Sequence, residues 1–301
     1  MPISPVAYPL GAPTISNGKL TVDLALKEPG RITKRLADLT LQKFICTEIF
    51  GDAGTTTSTG AIIYDVIRIN ELYTSNDVEQ RGPSDEYPTV QGNRSEPLVA
   101  RSEDWGGKFW ISDDSIASNN ALLLDNWTQQ LANTVIRKVN ARTVAVLEAV
   151  IAGLGGAGVI PGHNWSTVEI TGSNPTPASK RPFADLLAAQ LAADTEELGY
   201  NYNVWIMNPQ EYFQLQTVYG PDVDSILSNA GLTTFRSNRV TPGTAYAAVR
   251  QGVGFLGYQQ MLRAETWREP DFRRAWVQAN VLPIMGVTDP YAVKKITGLA
   301  G

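Results

Sequence analysis

The feature that most constrains this chain is a long polar interruption. From Thr74 to Arg101 (TSNDVEQRGPSDEYPTVQGNRSEPLVAR), 28 residues pass with almost no core-forming periodicity. Loops longer than about 15 residues inside compact domains are uncommon, and most are functional or disordered. The stretch before it, Ala61 to Tyr73 (AIIYDVIRINELY), is β-branched and aromatic, which signals a strand. Residues 61 to 101 therefore read as a two-stranded arm reaching away from the body. An isolated hairpin is marginal in water, so the arm should find its partner on another subunit. Its charged residues Asp77, Glu79, Arg81, Asp85, Glu86 and Arg94 are candidate subunit contacts.

The second constraint is a long helix, expected over 118–152. Leu124, Trp127, Leu131, Val135, Val139, Val146 and Val150 recur three, four or seven apart, on one face. At 1.5 Å per residue it spans on the order of 50 Å, and the glycine run after it stops it. Upstream, Met1 to about Gly30 is rich in Pro and Gly and reads as an extended or disordered tail. A helix is expected from Thr33 to Phe50 with Thr33 as its cap, then a small-residue hinge from Gly51 to Gly60.

Lys108 to Ile111 reads as an aromatic strand. Thr171 to Pro182 is a Pro/Ser linker and a candidate domain boundary, followed by an Ala/Leu helix to Leu198. Tyr202 to Met207 is a buried-type strand running into Asn208-Pro209, a cap followed by a preorganised first helical residue, so 209–218 should be helical. A short helix over 222–230 precedes a β-rich end with strands near 275–285 and 291–296. The class is α+β.

Composition narrows the function. A net charge of -5 and a pI near 5.1 argue against a surface that grips nucleic acid as a whole. A container is different, because a mildly acidic wall repels a packed polyanion without trapping it. Charged residues are 18% of the chain, which fits a surface largely covered by neighbours. The start Met1-Pro2-Ile3-Ser4 shows no secretory pattern, and no apolar run nears bilayer-spanning length, so a protein of the cell interior is expected.

Catalytic chemistry is thin. Gly153-Leu154-Gly155-Gly156-Ala157-Gly158 has dinucleotide-loop spacing, but a helix precedes it and Pro161-Gly162 follows, so it reads as a helix stop. The one histidine, His163, sits in a turn without a motif, and Cys46 reads as a small core hydrophobe. Glu103-Asp104 and Asp113-Asp114 read as turn or cap pairs. No cofactor, metal or catalytic residue is expected. Near the end, Arg263, Arg268, Arg273 and Arg274 interleave with Glu265, Glu269, Asp271, Trp267, Phe272 and Trp276, an alternation that favours a subunit-facing side.

The order of these parts resembles the major capsid proteins of tailed double-stranded-DNA phages, the fold family named after the Hong Kong 97 phage. The resemblance rests on AIIYDVIRINELY with the return segment EPLVARSEDWGGKFWISDD, and on the helix LLLDNWTQQLANTVIRKVNARTVAVLEAVIAG. VWIMNPQEYFQLQ, AYAAVRQGVGFLGYQ and the terminal FRRAWVQANVLPIMGVTDPYAVKKITG complete it. It implies an N-terminal arm (1–50), an extended β-hairpin loop (51–104) and a peripheral domain (105–180) with its spine helix. An axial domain (181–254) and closing strands of the peripheral domain that return to the axial domain (255–301) would follow.

It also implies a structural subunit forming the pentamers and hexamers of an icosahedral shell around packaged DNA, in a virion assembled in the host cytoplasm. The partners implied are a separate scaffolding protein, a portal, and a cement or decoration protein. Some relatives crosslink through a lysine in the extended loop. No lysine occurs from Thr47 to Gly107, so that bond is not expected here. An encapsulin-like cellular compartment of the same fold is the alternative reading.

Overall fold

The structure is a computed structural model that describes residues 15–16, 19–20, 22–40, 44–56, 59–68, 73–74, 76–83, 85–92 and 96–300. Most of the expected N-terminal tail, and Arg94, lie outside the described residues.

The chain opens with a minimal ladder, β1 (Ile15–Ser16) against β2 (Lys19–Leu20), then α1 (Val22–Lys27) and α2 (Pro29–Thr40). This corrects the expected tail, because Val22 and Ala25 are buried. It also corrects the cap. Pro29, whose missing N–H costs nothing in a first turn, opens α2, and Thr33 lies one turn inside. The Thr33 hydroxyl donates to the Pro29 carbonyl (3.1 Å) and accepts the Ala264 amide (2.9 Å). A short α3 (Cys46–Ile49) follows.

The expected hinge at 51–60 begins as a strand, β3 (Phe50–Thr56). Small residues suit it because another backbone passes close, and a Cβ on Gly51 would sit 3.0 Å from the Gln251 carbonyl. Next, β4 (Ala61–Tyr64) pairs antiparallel with β5 (Leu98–Arg101), Ala61 facing Arg101 and Tyr64 facing Leu98. This is the two-stranded base expected for the arm, though regular pairing ends after four residue pairs.

Then come β6 (Trp105–Ser112), α4 (Asp113–Ala117) capped by the Ser112 hydroxyl, and α5 (Ala121–Gly153) capped by the Asn120 side chain. The spine helix starts three residues later than expected, after Asn119 adopts a left-handed φ of 50°. Its buried line runs through Ala132, Val135, Ile136, Val139, Thr143, Leu147 and Ile151. Leu124, Trp127, Leu131, Val146 and Val150 are only half-buried along its flank.

The rest alternates β7 (Val159–Pro161), α6 (Pro182–Thr195), β8 (Val204–Met207), α7 (Pro209–Tyr219), α8 (Val223–Asn229), β9 (Thr233–Arg236) and β10 (Thr244–Ala248). Two long strands, β11 (Gly254–Glu269) and β12 (Arg274–Gly286), and finally β13 (Val293–Thr297) close it. At the start of α7 the Asn208 side chain accepts the Gln210 amide (3.1 Å) and donates to the Val240 carbonyl (2.8 Å), as the Asn-Pro pair predicts.

Two main sheets result, ordered β7-β13-β10-β8-β9 and β3-β11-β12-β6. In the five-stranded sheet both faces are covered. Val204, Ile206, Tyr246 and Ala248 pack toward α5 and the second sheet. Trp205, Met207, Ala245 and Ala247 pack toward α6, α7 and α8. Burial on both faces explains why β8 reads as a continuous apolar run rather than an alternating one.

Candidate subunit interface

The arm leaves the body between β4 and β5. At its root the Arg142 guanidinium grips both oxygens of Glu103 (2.8 and 2.9 Å), locking the return strand to the spine helix. Glu103 is thus an ion-pair partner and not a cap residue. The Ile67 amide donates to the Thr288 carbonyl (2.8 Å), and the Tyr73 hydroxyl reaches Glu197 (3.1 Å). Beyond these, the hydrogen bonds of described residues 76–92 stay inside the arm. The Asn76 amide bonds the Thr89 carbonyl (3.3 Å), and Arg81 lies over the Tyr87 ring at 4.9 Å. Asp77, Glu79, Arg81, Asp85 and Glu86 are all exposed, together with Val78 (77%) and Tyr87 (69%).

The second group of candidates lies on the β11–β12 ribbon. Arg268 bonds Asp113 at 2.6 Å, and Asp113 is only 3% exposed, so this arginine is committed to its own chain. Arg263 pairs with Glu265 (3.3 Å), and Arg274 with Glu269 (2.6 Å), which also accepts the Trp276 indole (2.7 Å). Those two hydrogen bonds hold the Glu269 carboxyl below its ordinary pKa. Arg273 takes a left-handed φ of 48° at the turn between the strands and is exposed.

Sequence reasoning named Trp267, Phe272 and Trp276 here but not Lys108 or Trp110. The register places Trp110, Trp276 and Trp267 in one row across β6, β12 and β11. Trp267 and Trp276 stack at 6.1 Å and 18°. Lys108 lies over Trp276 (4.6 Å) and Arg274 over the same ring (4.7 Å). The available signal was the alternation in KFW: Lys108 and Trp110 share one face of a strand and Phe109 takes the other.

Inside the body, three polar clusters tie distant segments together. Lys294, fully buried, donates to Glu196 (2.5 Å) and to the Ala157 carbonyl (2.8 Å). Lys295 donates to both oxygens of Glu148 on the spine helix (2.7 and 2.8 Å), and the Tyr246 hydroxyl donates to Glu148 as well. Burial, and then that carboxylate, push the Tyr246 hydroxyl pKa up. Asp185, 1% exposed, accepts the Trp165 indole (2.7 Å) and the His163 amide (3.1 Å), and its other oxygen meets His163 Nδ1 (2.7 Å). His163 is therefore part of a structural knot. Cys46 is a core residue, its thiol pushed up to about 12 by burial. Among the described residues no group of three or more His, Cys, Asp or Glu could hold a metal, and no helix is long and apolar enough to cross a membrane.

A phage capsid protein family model matches residues 95–296. The chain belongs to this family.

Solved structures agree in fold. A Mycobacterium phage Bobi structure matches with a TM-score of 0.58 at 10% identity, over 84% of this chain and 89% of that one. A virus-like particle from Pyrococcus furiosus matches with a TM-score of 0.57 at 11% identity, over 89% of this chain and 98% of that one. The capsid structure of Cyanophage P-SCSP1u matches with a TM-score of 0.53 at 13% identity, over 87% of this chain and 88% of that one. No curated protein matches the sequence. The resemblance drawn from the sequence, to tailed-phage major capsid proteins, therefore holds. The α+β body is the Hong Kong 97-type fold, and this capsid protein is a shell-building one.

Proposed function

We propose that this capsid protein forms the pentamers and hexamers of an icosahedral phage shell that encloses double-stranded DNA, acting as a structural subunit and not as an enzyme. The observation that carries the reading is the arm, whose described residues from 76 to 92 include none that is buried in the chain's own body. Exposed aromatic and apolar side chains on an extended strand pair are stabilised when a second molecule covers them. Closed shells require such heterologous contacts, one patch meeting a different one at a fixed angle.

The division into N-terminal arm, extended loop, peripheral domain with spine helix, axial domain and closing strands belongs to this proposal, as do the charged candidates on the arm and the ribbon. The extended loop lacks lysine, so the shell holds by noncovalent contacts or with a cement protein. A separate scaffolding protein and a portal complete assembly in the host cytoplasm.

The experiment is electron microscopy of particles formed by the expressed protein. Closed shells of uniform diameter are expected. A chain that stays single at high concentration, with 61–101 folded onto its own body, would refute the reading. A second reading, an encapsulin-like cellular compartment, draws support from the likeness that spans 98% of the Pyrococcus particle chain. The contents of particles purified from the native source decide between them: DNA for a phage shell, a protein cargo for a compartment.

A further inference from the structure

Two enclosed acceptors on α7 meet no donor in this chain. Glu211 has no exposed surface; one of its carboxylate oxygens accepts the Gly243 amide (2.6 Å), and the other has no partner. The side-chain oxygen of Gln214, one turn on, is enclosed and unpartnered too. Residues three apart on a helix are neighbours, so the two groups share one side of α7. An enclosed acceptor without a donor destabilises a fold unless a ligand or solvent supplies one.

Gln214 lines a groove of 480 Å³ between α7 and the turn at 165–168. Pro209, Phe213 and Val218 line it from the helix, and Trp165 and Val168 from the turn. Its described lining residues include no Lys, Arg or His, and Phe213 is 69% exposed. Behind the wall, the Trp165 indole donates to Asp185 (2.7 Å), a second buried carboxylate, whose ion-pair partner is His163 and not a lysine or arginine. Buried carboxylates beside low-dielectric walls set a negative potential in such a groove. The positive end of α7 offsets part of the charge on Glu211, but that field fades within the first turn. Gln214 lies beyond that turn.

The groove therefore selects a positively charged donor with a hydrocarbon tail. A protonated primary amine brings N–H donors on every side and no acceptor. We propose that this groove binds a small free alkylammonium, its head on the Gln214 oxygen with Glu211 behind it. The face of Phe213 adds a cation–π contact, and the carbon chain lies on Pro209, Val168 and Val218. The inference stands apart from the shell reading, because the groove is built within one chain.

Titration calorimetry on the full-length chain tests it, with hexylammonium as the probe and hexanol and hexanoate as matched controls. Hexylammonium should bind about tenfold more tightly than hexanol, because a hydrogen bond from a charged donor is roughly twice as strong as a neutral one. Hexanoate should not bind. Gln214→Leu should weaken the amine about tenfold and leave hexanol unchanged. Glu211→Gln keeps an oxygen for the Gly243 amide and should weaken the amine as well. Circular dichroism melts check that each variant folds, and half-buried Gln214 carries the test alone if Glu211→Gln does not. Equal binding of amine and alcohol overturns the proposal, as does an amine that binds Gln214→Leu at wild-type strength. So does a wild-type chain that takes up no amine at millimolar concentration.

Discussion

Removing the carboxylate of Glu196 should destabilise the protein far more than removing the lysine it binds. Lys294 has no exposed side-chain surface, while Glu196 keeps 15% of its own. In Glu196→Ala the ammonium stays trapped in the five-stranded sheet with the Ala157 carbonyl and the face of the Tyr291 ring to receive it, and no anion. Breaking a buried pair in this way costs about 3–5 kcal/mol. Unfolding entropy near 2.1 cal/mol/K per residue gives roughly 0.6 kcal/mol per kelvin for a chain this long, so the melting temperature should fall by about 5–8 °C. Lys294→Met removes the trapped charge instead, and Glu196 can turn toward water, so the loss should stay near 1–2 kcal/mol, about 2–3 °C. The double variant should recover most of what Glu196→Ala alone loses. The assay is a set of circular dichroism melts on the unassembled chain. A Glu196→Ala melt within about 2 °C of wild type, or a double variant no better than Glu196→Ala, would refute the reasoning.

Other positions give independent tests. Asp185→Ala leaves the buried Trp165 indole and the His163 amide without their acceptor and should cost about 2–4 kcal/mol, whereas Asp185→Asn keeps an oxygen for them and should lose less than half of that, read by the same melts. The Cys46 thiol should resist a thiol reagent at pH 9.5 until the chain unfolds. Because its folded pKa of about 12 lies above the ordinary 9.0, the unfolded chain ionises first, so this group lowers stability as pH rises from 9 toward 12 and changes nothing below 9. Gly254→Ala sets a methyl 2.1 Å from the Gly286 carbonyl, with both atoms held in the β11–β12 ladder. Soluble yield should collapse, and a variant that melts like wild type would show that the strands can part there.

Local signals carried much of the architecture. The spine helix, the Asn208 cap, the all-buried β8 and the paired base of the arm each follow from spacing or from one residue's chemistry. The elements that escaped depend on company. β3 looks like a hinge because glycine and threonine have little strand signal until β11 runs beside them. α1 looks like tail because Val22 becomes core only against Ile111 and Ala275 of the sheet. The Asp185 knot joins residues 20 and 22 positions apart, and the Lys294 pair residues 98 apart, with no local pattern to mark either. One clue was present: Lys294 and Lys295 are neighbours in a strand, so they must face opposite ways. One points to Glu196 and the other to Glu148, and at least one of them had to find an acid beneath the surface.

The order of strands in the larger sheet also sets a clock on protein synthesis. Among the described residues β7 pairs only with β13, and β10 keeps one side open until β13 arrives. Some 130 residues separate β7 from the strand that completes it, so a nascent chain on the ribosome cannot finish this layer until its last strand has emerged. A growing shell is thereby offered finished subunits, and half-made ones still tethered to translation have no complete surface to lodge with.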